Sequence, residues 1–186
     1  MGGLFYVAPV LLGAAPKVAD SFRTGGGVRF EDFGPECVVA LDMINSGQYE
    51  NRLSSYWLPK LPDVVRRLES GGRVLDFGCG VGRVGAAIAK AFPKCEVVGL
   101  DPDPETIRQA RAAATKAGLG DRIQFIANTT SELERGEGFD LITACDCVHD
   151  FSAPDKTLGE LRHLVKPDGA LFIVEPKAAD RMQDNI

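Results

Sequence analysis

At 186 residues, with 45% hydrophobic and 25% charged side chains, the chain has the make-up of a soluble globular domain and can bury one sizeable core. A formal net charge of -5 argues against a nucleic-acid surface, which would gather Lys and Arg on one face to displace counterions. A small-molecule substrate suits this balance better.

The five cysteines, Cys37, Cys79, Cys95, Cys145 and Cys147, are odd in number and lack paired zinc spacing. They read as reduced, small core residues of a cytoplasmic protein, with no metal site expected. Residues 4–15 are mostly apolar, but no basic region precedes them, and they fall short of the roughly 20 residues a membrane span requires. Neither secretion nor membrane anchoring is expected.

Composition changes at Ser70-Gly71-Gly72. Residues 1–70 read as a mainly helical N-terminal or lid segment, and residues 71–186 as a core in which strands and helices alternate. Val74-Leu75-Asp76-Phe77 is a short strand, followed by a glycine-rich turn and an alanine-rich helix over 84–92 closed by Pro93. A second strand spans 96–100. Asp103-Pro104 then supplies an N-cap acceptor and a first-turn proline for a helix that Gly118 stops. On that helix Ile107, Ala110, Ala114 and Ala117 share one face. Residues 123–127 and 139–145 form the third and fourth strands, 155–165 a helix, and 170–175 a fifth strand entered through the turn Lys166-Pro167-Asp168-Gly169. The alternation predicts an α/β fold: a Rossmann-like, doubly wound, mostly parallel sheet with helices on both faces.

The strongest chemical signal is Asp76-Phe77-Gly78-Cys79-Gly80-Val81-Gly82, where a buried strand turns into a helix. Glycines there let the backbone approach a ligand, and the helix N-terminus beyond them favours a negative group. The overlapping Gly80-Val81-Gly82-Arg83-Val84-Gly85 also satisfies the dinucleotide fingerprint, so a nicotinamide-dependent oxidoreductase is a rival reading. Asp76 weighs against it: a carboxylate beside a pyrophosphate would repel it, whereas beside an ammonium group it would attract. Asp101, about 20 residues past the loop, stands where nucleotide folds place the acid that accepts from both ribose hydroxyls. Asp146-Cys147-Val148-His149-Asp150-Phe151 follows the fourth strand, at the carboxyl edge where open α/β sheets bind ligands. His149 is one of two histidines; it is a candidate base or a local strand-end bond, while His163 lies in a helix among Leu161, Leu164 and Val165 and reads as structural.

Taken together, residues 73–175 resemble class I S-adenosylmethionine-dependent methyltransferases. The likeness rests on Val74 through Gly82 as the first motif, on Asp101, on Phe139-Asp140-Leu141-Ile142, and on Leu164 through Ala170 leading into the fifth strand. It implies S-adenosyl-L-methionine as cofactor, with Gly78, Cys79, Gly80 and Gly82 along its methionyl part, Asp101 on the ribose and Pro102 bordering the adenine. Asp146, at the end of the fourth strand, joins the same set. Where the family often has an acid for the adenine amino group, this chain has Thr129 between Asn128 and Thr130, side chains that can still accept a hydrogen bond. His149 followed by Asp150 resembles the His-Asp pair of small-molecule O-methyltransferases, in which the histidine takes the proton of the acceptor hydroxyl, and Glu175 matches a supporting acid.

Phe22-Arg23-Thr24-Gly25-Gly26-Gly27-Val28 and Tyr56-Trp57-Leu58-Pro59 resemble the segment ahead of the core in a bacterial-type group of these enzymes, whose members carry an N-terminal winged-helix-like domain. Gly25 to Gly27 is either a lid hinge or a plain loop. The resemblance also implies further strands after Glu175-Pro176, for which little sequence follows. The expectation is therefore a core shortened at both ends, with one sheet edge covered by a partner such as a second copy, or a binding module without activity. The expected reaction is methyl transfer to a small-molecule oxygen, with nitrogen or carbon as the lesser alternatives.

Overall fold

A computed structural model describes residues 2–133 and 136–184. Five strands, β1 (Arg73–Phe77), β2 (Glu96–Asp101), β3 (Ile123–Ala127), β4 (Phe139–Cys145) and β5 (Val165–Val174), form one sheet in the order β3-β2-β1-β4-β5. Every pairing is parallel. The order reverses between β1 and β4, so the loops leaving their carboxyl ends diverge and open a crevice there.

Six α-helices accompany the strands among the described residues: α1 (Gly2–Thr24), α2 (Pro35–Arg52), α3 (Pro62–Glu69), α4 (Arg83–Ala91), α5 (Pro104–Lys116) and α6 (Pro154–Leu164). Alternation along the central strands feeds two cores. Val74 and Leu141 face one side with Ile88 of α4, Ile107 of α5 and Leu53, Leu58 and Leu68 of the N-terminal segment. Leu75 and Ile142 face the other side with Leu161 and Leu164 of α6. All seven residues of β4 are buried, as its apolar run requires of a strand covered on both faces.

Asp103 caps α5 as its sequence implies, accepting from the backbone N–H of Glu105 at 3.2 Å and of Thr106 at 3.0 Å. The α5 face that reaches the core is Thr106, Ile107, Ala110 and Ala114; Ala117 is exposed at the helix end. Phe125 of β3 lays its ring across two glycines. A Cβ on Gly82 would stand 2.7 Å from that ring and one on Gly99 2.6 Å, so both positions exclude a side chain.

One element differs from its sequence reading. β5 begins at Val165, and residues 166–169 lie within the strand as an irregularity: Val165 pairs with Phe139 and Ala170 with Leu141, so four residues of β5 oppose Asp140 alone. Asp140 explains the anchoring. Its buried carboxylate accepts from Lys166 Nζ and from the Arg73 backbone N–H, each at 2.9 Å, which pulls the bulged residues onto the sheet.

The N-terminal segment is helical, with Pro9 and Pro16 inside α1 and a π-helical turn, Leu53–Trp57, continuing α2. α1 packs along α2 and leaves Phe5, Leu12 and Phe22 exposed. Among the described residues no helix is long and apolar enough to cross a membrane.

Candidate active site

The crevice at the carboxyl ends of β1 and β4 holds a cavity of about 420 Å³, within the usual range for a small-molecule site. Asp76, Gly78, Cys79 and Gly80 form its floor, Asp101 and Pro102 one end, and Asp146, Cys147, Asp150 and Phe151 the other. α2 roofs it with Val38, Leu41, Asp42, Asn45 and Tyr49, and Phe30 stands at its side.

Backbone bonds set the loop. Asp101 Oδ2 accepts from the Gly80 N–H at 3.0 Å, and Asp101 Oδ1 from the Asp103 N–H at 3.1 Å. Gly80 has a left-handed φ of 51°, and a Cβ placed on it would meet nothing within 4 Å. The loop therefore presents bare backbone to open space, as close approach by a ligand requires. Gly78, at φ 63°, cannot carry a side chain either, because its Cβ would stand 2.9 Å from the Cys147 side chain.

Asp76 lies beneath the loop, 1% exposed, and accepts from the Gly85 N–H and from Thr143 Oγ1, each at 2.9 Å. Burial lifts its pKa to about 7, against the pull of those two hydrogen bonds. A carboxyl raised from 3.8 in the unfolded chain favours folding while protonated, and that contribution is lost as pH rises through about 7. The melting temperature of the wild type should thus fall against that of Asp76→Asn by a few degrees between about pH 6 and about pH 8. A difference that stays constant over that window contradicts the assignment.

At the other end Asp146 is the one non-glycine residue with a left-handed backbone among those described, at φ 58°. This turns the chain at the end of β4, and Asn45 Nδ2 of α2 donates to its carboxylate. Arg83, at the start of α4, grips α2 as well, reaching Asp42 at 2.7 and 2.8 Å and Glu50 at 3.0 Å. These bonds fix α2 across the crevice. Glu175, just past β5, accepts from the N–H groups of Cys147 at 3.2 Å and Val148 at 2.7 Å with Oε1, while Oε2 meets His149 Nδ1 at 2.5 Å. That hydrogen bond raises the His149 pKa above its ordinary value, against partial burial. Burial pushes Glu175 up, but the bonds from His149 and Val148 outweigh it and leave the carboxyl below its ordinary value.

Comparison with known proteins matches residues 68–186 to a family described as a methyltransferase domain. The chain belongs to this methyltransferase family. The chain is 30% identical over 106 residues to a ubiquinone biosynthesis O-methyltransferase of Rhodopseudomonas palustris, covering 56% of this chain and 40% of that one. It also matches a sterol 24-C-methyltransferase of Eremothecium gossypii, of which it covers 29%, so it spans well under half the length of these relatives. The solved mitomycin 7-O-methyltransferase MmcR shares the fold over 95% of this chain and 53% of that one, with a TM-score of 0.68 at 22% identity. PKMT2 of Rickettsia typhi, solved in complex with AdoHcy, is 26% identical and superposes over 64% of this chain and 25% of its own, with a TM-score of 0.55. The family takes its methyl group from S-adenosylmethionine, and nothing in these comparisons supports a nicotinamide cofactor.

Not every expected residue borders the cavity. Gly82 lies outside it, because its Cα is packed under the Phe125 ring; it closes the turn by donating its N–H to the Cys79 carbonyl at 2.8 Å. Asn128, Thr129 and Thr130 lie outside too. They follow β3, one strand beyond β2, where Thr130 Oγ1 bonds Glu160 of α6 and Asn128 Nδ2 bonds Glu132 at 2.6 Å. His149 and Glu175 flank the cavity without lining it, and the His149 side chain is 50% exposed beside Asp150, whose Oδ1 is 3.7 Å from Nε2. The ligand-capable atoms of Asp146, His149 and Glu175 lie within 4.8 Å of one another, but both Glu175 oxygens are already engaged.

The roof was missed by sequence reasoning. Val38, Leu41, Asp42, Asn45 and Tyr49 recur at helical spacing, a signal that was present but mixes apolar with polar residues. Gly25 and Gly27 take left-handed φ values of 79° and 72° in the loop between α1 and the turn Phe30–Phe33, which carries Phe30 to the cavity.

Proposed function

We propose that this chain moves the methyl group of S-adenosylmethionine onto a hydroxyl oxygen of a small, largely apolar acceptor, with His149 as the base. The observation that carries the reading is the 2.5 Å contact between His149 Nδ1 and Glu175 Oε2 at the reaction edge of the sheet. A carboxylate on Nδ1 holds the proton there and leaves the Nε2 lone pair to accept one from a hydroxyl. When bound, the cofactor supplies a methyl group on positively charged sulfur, already activated for transfer. What remains for the protein is alignment and removal of one proton.

In this reading Asp101 holds the ribose hydroxyls, Pro102 borders the adenine, and Gly78 and Gly80 present backbone to the methionyl part over the Asp76 carboxyl. Phe30, Val38, Leu41 and Phe151 supply apolar wall for the acceptor, and Asp150 directs its polar end toward His149. The O-methyltransferase relative and the His-Glu pair both favour oxygen over carbon.

The test is transfer of isotope-labelled methyl from S-adenosylmethionine to a panel of aromatic alcohols and the matching amines, with products identified by mass. Label recovered as methyl ethers, at rates at least about tenfold above the amines, is the expected result. Equal or faster transfer to nitrogen or carbon would contradict it.

A further inference from the structure

Tyr49 sits on the roof helix α2 with its side chain pressed between apolar core and cavity. The residue is 6% exposed, yet its hydroxyl oxygen is buried with no hydrogen-bond partner among the described residues. The ring is held from one side by Trp57, edge-on at 6.3 Å and 68°, which in turn leans on Phe172 at 6.2 Å. Tyr49 also lines the cavity, together with Asp76, Gly78 and Asp146. A buried hydroxyl held this firmly and left without a partner is costly unless a ligand supplies one.

Burial chiefly, and then the charges at the ends of β4 and β1, including Asp146 and Asp76, keep this phenol in its protonated form, so it remains a donor. Asn45, one helical turn before Tyr49, bonds Asp146, and Trp57 leans on Phe172 of β5, so Tyr49 stands over the β4 side of the glycine loop. That side carries the carboxyls of Asp76 and Asp146. Asn45 Nδ2 gives one of its two N–H groups to Asp146, and the Arg83 guanidinium is held by Asp42 and Glu50. A ligand carboxylate placed beside Asp76 and Asp146 would meet repulsion unless a donor faced it.

We infer that the Tyr49 hydroxyl is a positioning group for the cofactor, donating a hydrogen bond to the carboxylate of its amino-acid end. The inference rests on the cofactor placement proposed above. It makes α2 part of the cofactor site as well as its roof, and ties methionyl recognition to a residue outside the strand-helix core.

The experiment compares Tyr49→Phe with wild type by calorimetric titration of S-adenosylhomocysteine and, separately, of 5′-methylthioadenosine, which keeps the nucleoside and thioether but lacks the amino acid. The expected result is a loss of about tenfold in affinity for S-adenosylhomocysteine with 5′-methylthioadenosine binding unchanged. Without ligand, Tyr49→Phe should melt at the wild-type temperature or above it, since no protein bond is removed. Unchanged affinity for both compounds, or an equal loss for both, would overturn the inference, the second by showing a purely structural role. A wild-type chain that binds 5′-methylthioadenosine as tightly as S-adenosylhomocysteine would overturn it while leaving the nucleoside site intact. Binding of neither by wild type would bring down the cofactor placement and the inference together.

Discussion

Replacing His149 with alanine is expected to lower turnover by about a hundred- to a thousandfold while leaving S-adenosylhomocysteine affinity within about twofold of wild type. The asymmetry follows from position. His149 stands on the β5 flank of the cavity, bonded to Glu175, and does not border the glycine loop or Asp101. Its loss removes a proton acceptor and leaves the nucleoside end untouched. The pH profile gives a second reading of the same residue. Glu175 raises the His149 pKa above 6.5, so the neutral base is lost on acidification with a midpoint above that value. Glu175→Gln should move the acid limb of the rate toward lower pH. Stability has the opposite sign: the charged pair supports the fold below about pH 6.5, and that support fades as pH rises through the raised value. Turnover unchanged in His149→Ala would remove the residue from the chemistry.

The second large effect is expected at Asp101. Asp101→Ala should weaken S-adenosylhomocysteine binding about a hundredfold, more than any other single change in the lining of the cavity. Its carboxylate serves two ends at once. Oδ2 tethers the Gly80 N–H and Oδ1 the Asp103 N–H, while the group as a whole borders the cavity where a ribose would lie. Alanine removes the ligand's acceptor and releases the loop that approaches it. Asp101→Asn keeps one carbonyl oxygen and should lose less, about tenfold. Full affinity in Asp101→Ala would show that the nucleoside is held elsewhere.

The parts of this molecule that a reader of the sequence can find are those whose causes are local. Asp76 through Gly82 announces a strand running into a helix because each glycine answers a backbone demand at its own position, and Asp103-Pro104 announces α5 because a cap acts within three residues. Residues 166–169 have turn chemistry and read as a turn in the sequence, yet Asp140 and Lys166 draw them into β5 from across the sheet. Likeness to a family places Gly82 and residues 128–130 at the cofactor; in the structure the Phe125 ring packs against Gly82, and residues 128–130 follow β3 outside the cavity lining.

The roof is the clearest case of information that sequence does not display. Asp42, Asn45 and Tyr49 look like an ordinary polar helix face until Arg83 and Asp146, 41 and 101 residues away along the chain from Asp42 and Asn45 respectively, pull that face over the crevice. α1 likewise contains Pro9 and Pro16, which locally oppose a helix, and is helical all the same while packed along α2.

The most direct test of the account is calorimetric titration of the purified chain with S-adenosylhomocysteine and, in parallel, with NAD. One-to-one binding of S-adenosylhomocysteine, reduced in Asp101→Ala, with no heat from NAD, is the expected result. Binding of NAD in its place, or of neither compound, would contradict it.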